Sequence, residues 1–469
     1  MAADVEDLKE PDVTDEAAEG PVDAYRLHPS FIREVTDALA ADDAERVRSL
    51  LRSLHEADIA DLLELLKGEE RRKLISALGT EFNPEILSEL DETVRDEIID
   101  TLRAEDLAAA VAQLETDDAL YVLEDLDEER RAEVLSNIPL QDRAALEEGF
   151  SYEEESAGRL MRRELIAVPQ FWSVGQTIDY LRESEDLPED FHEIFVVDPR
   201  FHPIGVVPLS RLMRAKRHVL IRDIMEEEQR LIPVDMDQEE VAFIFKQYNL
   251  TSAAVVDAQG RMVGVITIDD VVDVIQEEAD EDILRLAGVQ DGDLNESLTS
   301  VTRTRFIWLL VNLGTAVLAS VVISWFDATL EQMVALAILM PIVASMGGNA
   351  GTQTMTVAVR ALAMRELTAT NALRVINKEV VISLINGVLL AVIIGALAAA
   401  WFSSVMLGLV LAVAMVVNML VAGLSGVLIP ITLQRLGVDP AVASSVFVTT
   451  VTDVVGFFAF LGLAAVIML

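Results

Sequence analysis

The sequence predicts a multidomain membrane protein in which an all-α N-terminal superhelical domain and an α/β tandem repeat precede an α-helical membrane domain. Three observations predict it. Charge is divided sharply: residues 301–469 hold six acids and seven bases, and residues 1–300 hold 74 acids and 29 bases, so the first part carries −45 and the second +1. The second part contains five apolar runs of membrane-spanning length, about 20 residues each. The first part contains a duplication at an offset of 59 residues, Phe195-Val196-Val197-Asp198 with Ile204-Gly205-Val206-Val207 against Ala254-Val255-Val256-Asp257 with Val263-Gly264-Val265-Ile266.

Taken in chain order, residues 1–27 are acidic and polar, which predicts a disordered tail and no signal peptide. Residues 28–150 carry Leu, Ile and Val at helical spacing behind Asp, Glu and Thr caps, so they read as helices only. A Glu-Glu-Arg-Arg tetrad recurs at 69–72 and 128–131, the mark of a short stack of helix pairs. Residues 151–276 hold the duplication, as copies over about 156–218 and 222–276. Each copy opens on a Met-containing element, Leu160-Met161 and Ile224-Met225, and continues with a helix pattern, two short strands and a second helix. This arrangement resembles a pair of CBS domains. In such domains a Thr-x-x-Asp pair often holds the ribose of an adenine nucleotide such as ATP. Here only the second copy keeps it, as Thr267 and Asp270, and the first has Pro208 and Arg211. The alternative is that the module serves only as a dimerising lever.

Residues 269–300 connect this region to the membrane. The segment Asp269–Gly288 reads as a long helix whose acids, Asp269, Asp270, Asp273, Glu277, Glu278, Asp280, Glu281 and Asp282, fall on shared faces where like charges repel. Divalent cations bridging it to another acidic surface would relieve that repulsion. A solvated face adapted to high salt is the alternative, and the scarcity of lysine, 6 against 30 arginines, favours a salt-adapted prokaryote as the source of the bulk acidity. This charge disfavours nucleic acid as a partner, and the lack of cysteine excludes disulfides and thiol chemistry.

The apolar runs are Phe306–Phe326, Met333–Val359, Val380–Phe402, Val405–Leu433 and Ala441–Leu469. Basic residues flank them in alternation: Arg303 and Arg305, then none, then Arg360, Arg365, Arg374 and Lys378, then none, then Arg435. The bias places the N-terminal region in the cytoplasm and the C-terminus outside. Asp453 is the carboxylate inside the runs as so delimited, and an intramembrane charge is costly enough to signal function. Carboxylates are the oxygen ligands that Mg²⁺ prefers. The alternative is a structural carboxylate bonded to Thr449, Thr450 or Thr452. The second run holds Pro341 and then Gly347-Gly348-Asn349-Ala350-Gly351-Thr352-Gln353, which predicts a loosened or broken helix whose freed carbonyls and Asn349 line a polar pathway. Close helix packing through small residues is the alternative. Five helices are few to enclose a pathway, so a homodimer within membrane lipid is expected.

Together these pieces resemble the MgtE family of magnesium channels and transporters. The carriers are Ser156-Ala157-Gly158-Arg159-Leu160-Met161, Asp237-Gln238-Glu239-Glu240-Val241, Asp270-Val271-Val272-Asp273-Val274, Gly347-Gly348-Asn349 with Gly351 and Gln353, Arg360-Ala361-Leu362-Ala363, Leu436-Gly437-Val438-Asp439-Pro440-Ala441, and Asp453-Val454 with Gly456. The resemblance implies a plug role for the connecting helix, and a largely hydrated Mg²⁺ held by Asp453 of both subunits, with Gly347, Gly348 and Asn349 lining the path. It also implies closure by cytoplasmic Mg²⁺ at Glu239, Asp270, Asp273, Glu278, Glu281 and Asp282, with Glu85 and Asp117 of the N domain. Two positions depart from the family pattern: Asn249 stands where an acid is expected, and Ser445 where relatives often carry Asn-Pro. Competing functions are transport of another divalent ion such as Co²⁺ or Mn²⁺, a non-conducting membrane sensor, and a membrane enzyme. Asp453 has no second intramembrane acid, base or nucleophile beside it in sequence, which speaks against the enzyme.

Overall fold

The computed structural model describes residues 22–23, 26–184, 187–188, 190–286, 298–368 and 370–468. Most of the tail expected over 1–27, and the connecting segment from 287 to 297, lie outside the described residues. Within the tail, Val22–Asp23 pairs with Arg26–Leu27 in a minimal antiparallel hairpin, and the Leu27 side chain is buried. The chain divides into two compact units, one ending at Val272 and the other beginning at Asp273.

From Pro29 to Gly149 the first unit is built of short helices, with two 3₁₀ turns at Gly79–Glu81 and Pro84–Leu87. Each helix is too short to be stable alone. Stability comes from apolar residues at helical spacing, such as Leu62, Leu74, Leu87, Val94, Leu107 and Leu120, which meet in one core. The two tetrads open the helices Gly68–Leu78 and Glu128–Asn137; Arg71 is buried and Arg130 half-buried, whereas Arg72 is exposed. Arg71 donates to the Leu63 carbonyl at 2.7 Å and to Glu97 at 2.7 Å, and Arg130 donates to the Leu102 carbonyl at 2.6 Å. The Leu63 carbonyl lies in the last turn of the helix Glu56–Leu65, where carbonyls run short of helical donors, and the Leu102 carbonyl lies in the link after Glu92–Ile99.

The duplication produces two three-stranded sheets of identical order. Ala167–Pro169 runs parallel to Glu193–Val197, which pairs antiparallel with Pro203–Pro208. Leu231–Pro233, Ser252–Val256 and Met262–Thr267 repeat that pattern, including a register shift at the same point. Gly205 and Gly264 are equivalent, and each must be glycine because a Cβ would lie 2.9 Å from the Glu226 carbonyl or 2.8 Å from the Arg162 carbonyl. Asn249 has a local reason: it caps the helix Gln238–Tyr248 in the left-handed region, φ +52°, which asparagine tolerates better than most residues.

The second unit begins within the connecting helix Ile268–Leu286 and among its described residues contains five helices long and apolar enough to span a membrane: Val301–Ser324, Val334–Ala363, Ala372–Trp401, Val405–Arg435 and Ser445–Ile467. The fourth is the hub and packs against the second, third and fifth. Small residues allow the approach; at the Gly395–Gly408 crossing an added Cβ on Gly408 would sit 2.4 Å from the Gly395 carbonyl.

The expected break in the second span does not occur. Val334–Ala363 is one helix through Pro341 and all three glycines. Two of those glycines serve packing. A Cβ on Gly347 would lie 2.1 Å from Nδ2 of Asn418, and one on Gly351 would lie 2.5 Å from Val448. A short helix, Asp327–Gln332, lies between the first two spans.

Candidate functional site

In the membrane unit, Asp453 is half-buried on the fifth span, one helical turn before the buried Gly456. The three threonines that could have satisfied its carboxylate each donate to their own helix. Thr449 bonds the Ser445 carbonyl at 2.8 Å, Thr450 that of Val446 at 2.6 Å, and Thr452 that of Thr449 at 2.9 Å. On the second span, the helical turn sorts the motif into two faces. Gly347 and Gly351 are buried against the fourth and fifth spans, whereas Asn349 is exposed and a Cβ on Gly348 would meet nothing within 4 Å. The small-residue explanation therefore holds for Gly347 and Gly351, and leaves Gly348 and Asn349 on an open face.

Two polar residues of the spans are held by a neighbouring helix, Asn418 through the interhelical hydrogen bond expected of an intramembrane amide. Asn418 is fully buried; its Nδ2 donates to the Val343 carbonyl at 2.8 Å, and its side chain touches the positions of both Gly347 and Gly456. Glu379 lies within the third span, half-buried, 3.4 Å from the Thr354 hydroxyl. It escaped notice because the apolar run begins one residue later, at Val380. Asn386, by contrast, is exposed in the single chain.

The acids of the N-terminal region separate into distinct settings. Glu85 is exposed and accepts from Asn83 at 3.1 Å, and Glu239 is exposed in the first turn of its helix. Asp117 and Asp270 are brought together around Arg162. Its Nε lies 3.3 Å from Asp117, Nη1 is 2.5 Å from Glu115, and Nη2 is 3.1 Å from Asp269 and 3.0 Å from Asp270. Burial pushes the carboxyls of Asp117, Asp270 and Glu115 up, and their mutual repulsion adds to this. Asp118 beside them is pushed up to about 7 by burial and by Asp270 and Glu115. For Arg162, burial works against the charge and is outweighed by Asp117, Asp270 and Glu115, so its protonated form is strengthened. The Thr267 hydroxyl donates to Asp270 at 2.7 Å.

Asp273, Glu278, Glu281 and Asp282 share the connecting helix. Burial pushes the Asp282 carboxyl up, and Asp439 and Glu278 add repulsion. Arg285 pairs with Glu281 and reaches Asp439 at 2.6 Å. Asp439 also caps the helix Pro440–Ile467, the one that carries Asp453, through the Ala441 N–H at 2.8 Å.

Comparison with known proteins places these parts. The profile of the MgtE divalent cation transporter matches residues 340–463, that of the MgtE intracellular N domain matches 54–155, and that of the CBS domain matches 157–218 and 221–277. The magnesium transporter MgtE of Thermus thermophilus is 34% identical over 439 residues, which is 92% of this chain and 97% of the relative. That of Enterococcus faecalis is 32% identical over 323 residues, 69% of this chain and 71% of the relative. A solved cytosolic domain of the Mg²⁺ channel MgtE in complex with ATP is 32% identical, covers 52% of this chain and 99% of its own, and superposes with a TM-score of 0.49. An N domain, a CBS pair and five apolar spans define a multi-pass membrane transporter of divalent cations. The chain belongs to the MgtE family, whose curated members are named magnesium transporters.

Proposed function

We propose that this protein is a homodimeric, Mg²⁺-selective channel that admits Mg²⁺ to the cytoplasm down its electrochemical gradient and closes when cytoplasmic Mg²⁺ is high. The observation that carries the permeation half is Asp453. It is a carboxylate at membrane depth whose neighbouring threonines are committed to backbone carbonyls, so its charge calls for a cation. Asn349 and Gly348 on the open face of the second span supply an amide and unobstructed backbone toward the same cargo. Mg²⁺ sheds water reluctantly, so oxygen groups that grip the hydrated ion can select it and still release it. A negative-inside potential contributes about 2.3 kcal/mol per charge per 100 mV, enough to drive entry without a nucleotide motor. The alternating basic loops set the orientation, with the N-terminal region inside.

For closure, the crowded acids of the connecting helix are the group to be neutralised. Asp273, Glu278, Glu281 and Asp282 repel one another and Asp439 when cations are scarce. Among the described residues of one chain, no three acids or histidines converge as a complete metal site, so an ion here would have to bridge to a further surface. Glu239 and Glu85, both exposed, are candidates for such surfaces. At the second CBS copy most of the acceptor capacity a ribose would use is already engaged. Both oxygens of Asp270 already accept from Arg162, and one also accepts from Thr267.

The deciding experiment is Mg²⁺ uptake into liposomes, wild type beside Asp453→Asn, with internal Mg²⁺ set low and then high. Flux lost in the variant and suppressed by high internal Mg²⁺ is expected. Full flux through Asp453→Asn would sink the permeation mechanism, and parallel uptake of Co²⁺ or Mn²⁺ at the same rate would remove the selectivity.

A further inference from the structure

We infer that Arg162 is a resident cation at the junction of the N domain and the second CBS copy, standing where a divalent ion would otherwise be needed, so that this junction stays closed at any Mg²⁺ level. The inference deepens the channel proposal by leaving Mg²⁺ sensing to the connecting helix.

Every nitrogen of the guanidinium is used. Nε serves Asp117, Nη1 serves Glu115, and Nη2 serves Asp269 and Asp270, over distances of 2.5 to 3.3 Å. The residue is 8% exposed, as is Asp117. Its backbone is fixed as firmly as its side chain, since Arg162 and Val265 exchange two N–H···O bonds of 2.9 Å. Val265 lies in the strand Met262–Thr267, which leads directly into Ile268 of the connecting helix. Arg162 therefore ties the helix Thr116–Leu123 of the N domain to the start of the connecting helix through one side chain.

A Mg²⁺ ion fits this arrangement poorly. It needs oxygens at about 2.0–2.1 Å in a near-octahedral shell. The four carboxylates here are spread around the three nitrogens of a planar fork, and a metal could gather them only by expelling the guanidinium. Guanidinium loses less than an ammonium or a hydrated divalent ion on leaving water, which suits it to a buried position. Buried contacts are also screened little by salt, whereas exposed repulsions are screened strongly. The second oxygen of Asp117, buried and without a partner among the described residues, shows that the eight carboxylate oxygens outnumber the five N–H donors Arg162 offers. Once Arg162 is removed, that surplus would draw in a divalent ion.

The test is hydrogen exchange, read by mass spectrometry on the full-length protein, over residues 115–123 and 262–272, in EDTA and in saturating Mg²⁺. In wild type both segments should exchange at the same slow rate in either condition. In Arg162→Ala their exchange in EDTA should rise about tenfold or more, as expected for loss of a charged buried hydrogen-bond partner, and Mg²⁺ should restore most of the protection. Faster exchange of the wild-type segments in EDTA than in Mg²⁺ would overturn the proposal, and so would an unchanged Arg162→Ala. The wild-type comparison decides alone if the variant does not fold. Gating of flux by internal Mg²⁺ is measured separately in liposomes, so an ungated channel with an EDTA-insensitive junction would refute the channel proposal and leave this one standing.

Discussion

At the residue scale the second span shows how one glycine-rich motif serves two purposes. Gly347 is where the Asn418 amide enters, and an added methyl would begin 2.1 Å from Nδ2. Gly348, the next residue, has open space where its Cβ would be. Gly347→Ala should therefore cost stability, about 1–3 kcal/mol as for an overpacked core, and lower flux with it. Gly348→Ala should leave the thermal midpoint unchanged. If Gly348 lines the cation path, its substitution alters Mg²⁺ flux without altering stability, and an alanine there that changes neither removes it from the path. The composition of the motif was legible in the sequence, but the division of labour was not, because it depends on which face Asn418 of the fourth span approaches. Glu379 was missed for a related reason. A carboxylate one residue outside an apolar run looks interfacial until the helix is seen to begin at Ala372 and the side chain to lean on Thr354.

At the element scale the connecting helix and the helix carrying Asp453 share a joint. Asp439 uses Oδ1 to cap Pro440–Ile467 and Oδ2 to bind Arg285. A shift of the connecting helix would, on the channel proposal, be felt at the N-terminus of the helix that holds the intramembrane carboxylate. Arg285→Ala should weaken suppression of flux by internal Mg²⁺ and leave flux at low internal Mg²⁺ near wild type. Asp439→Asn, which keeps the capping oxygen, should resemble it. Asp439→Ala also forfeits the cap, worth about 1 kcal/mol, and should lower the thermal midpoint as well. Equal suppression in all three variants would show that closure does not pass through this joint. The acidic helix itself was legible from its spacing. The expected break at Pro341 failed because proline and glycine in a membrane span can be absorbed by neighbouring helices and small local adjustments. The paired repeats were more legible than either, since their apolar strand cores are written twice at one offset and close into identical sheets.

At the scale of the whole molecule, the charge division sets how the protein responds to its medium. The −45 of residues 1–300 opposes compaction of that part, while the nearly neutral remainder packs through its glycine crossings. Self-repulsion of this kind acts over the screening length, which falls from about 10 Å at 0.1 M salt to about 3 Å at 1 M. The contacts around Arg162 and Arg285 are direct, partly buried pairs with no room for screening ions between the partners and survive that change, whereas diffuse repulsion among exposed acids does not. The unfolding midpoint of the intact protein should therefore climb as KCl rises from about 0.1 to about 1 M and then level off as screening saturates. Replacing KCl by an uncharged osmolyte of equal osmotic strength should give less of this gain. A midpoint that falls or stays flat with KCl would mean that the acids are already compensated in the folded state, and the surplus charge would then have to be explained by bound cations instead of by adaptation to salt.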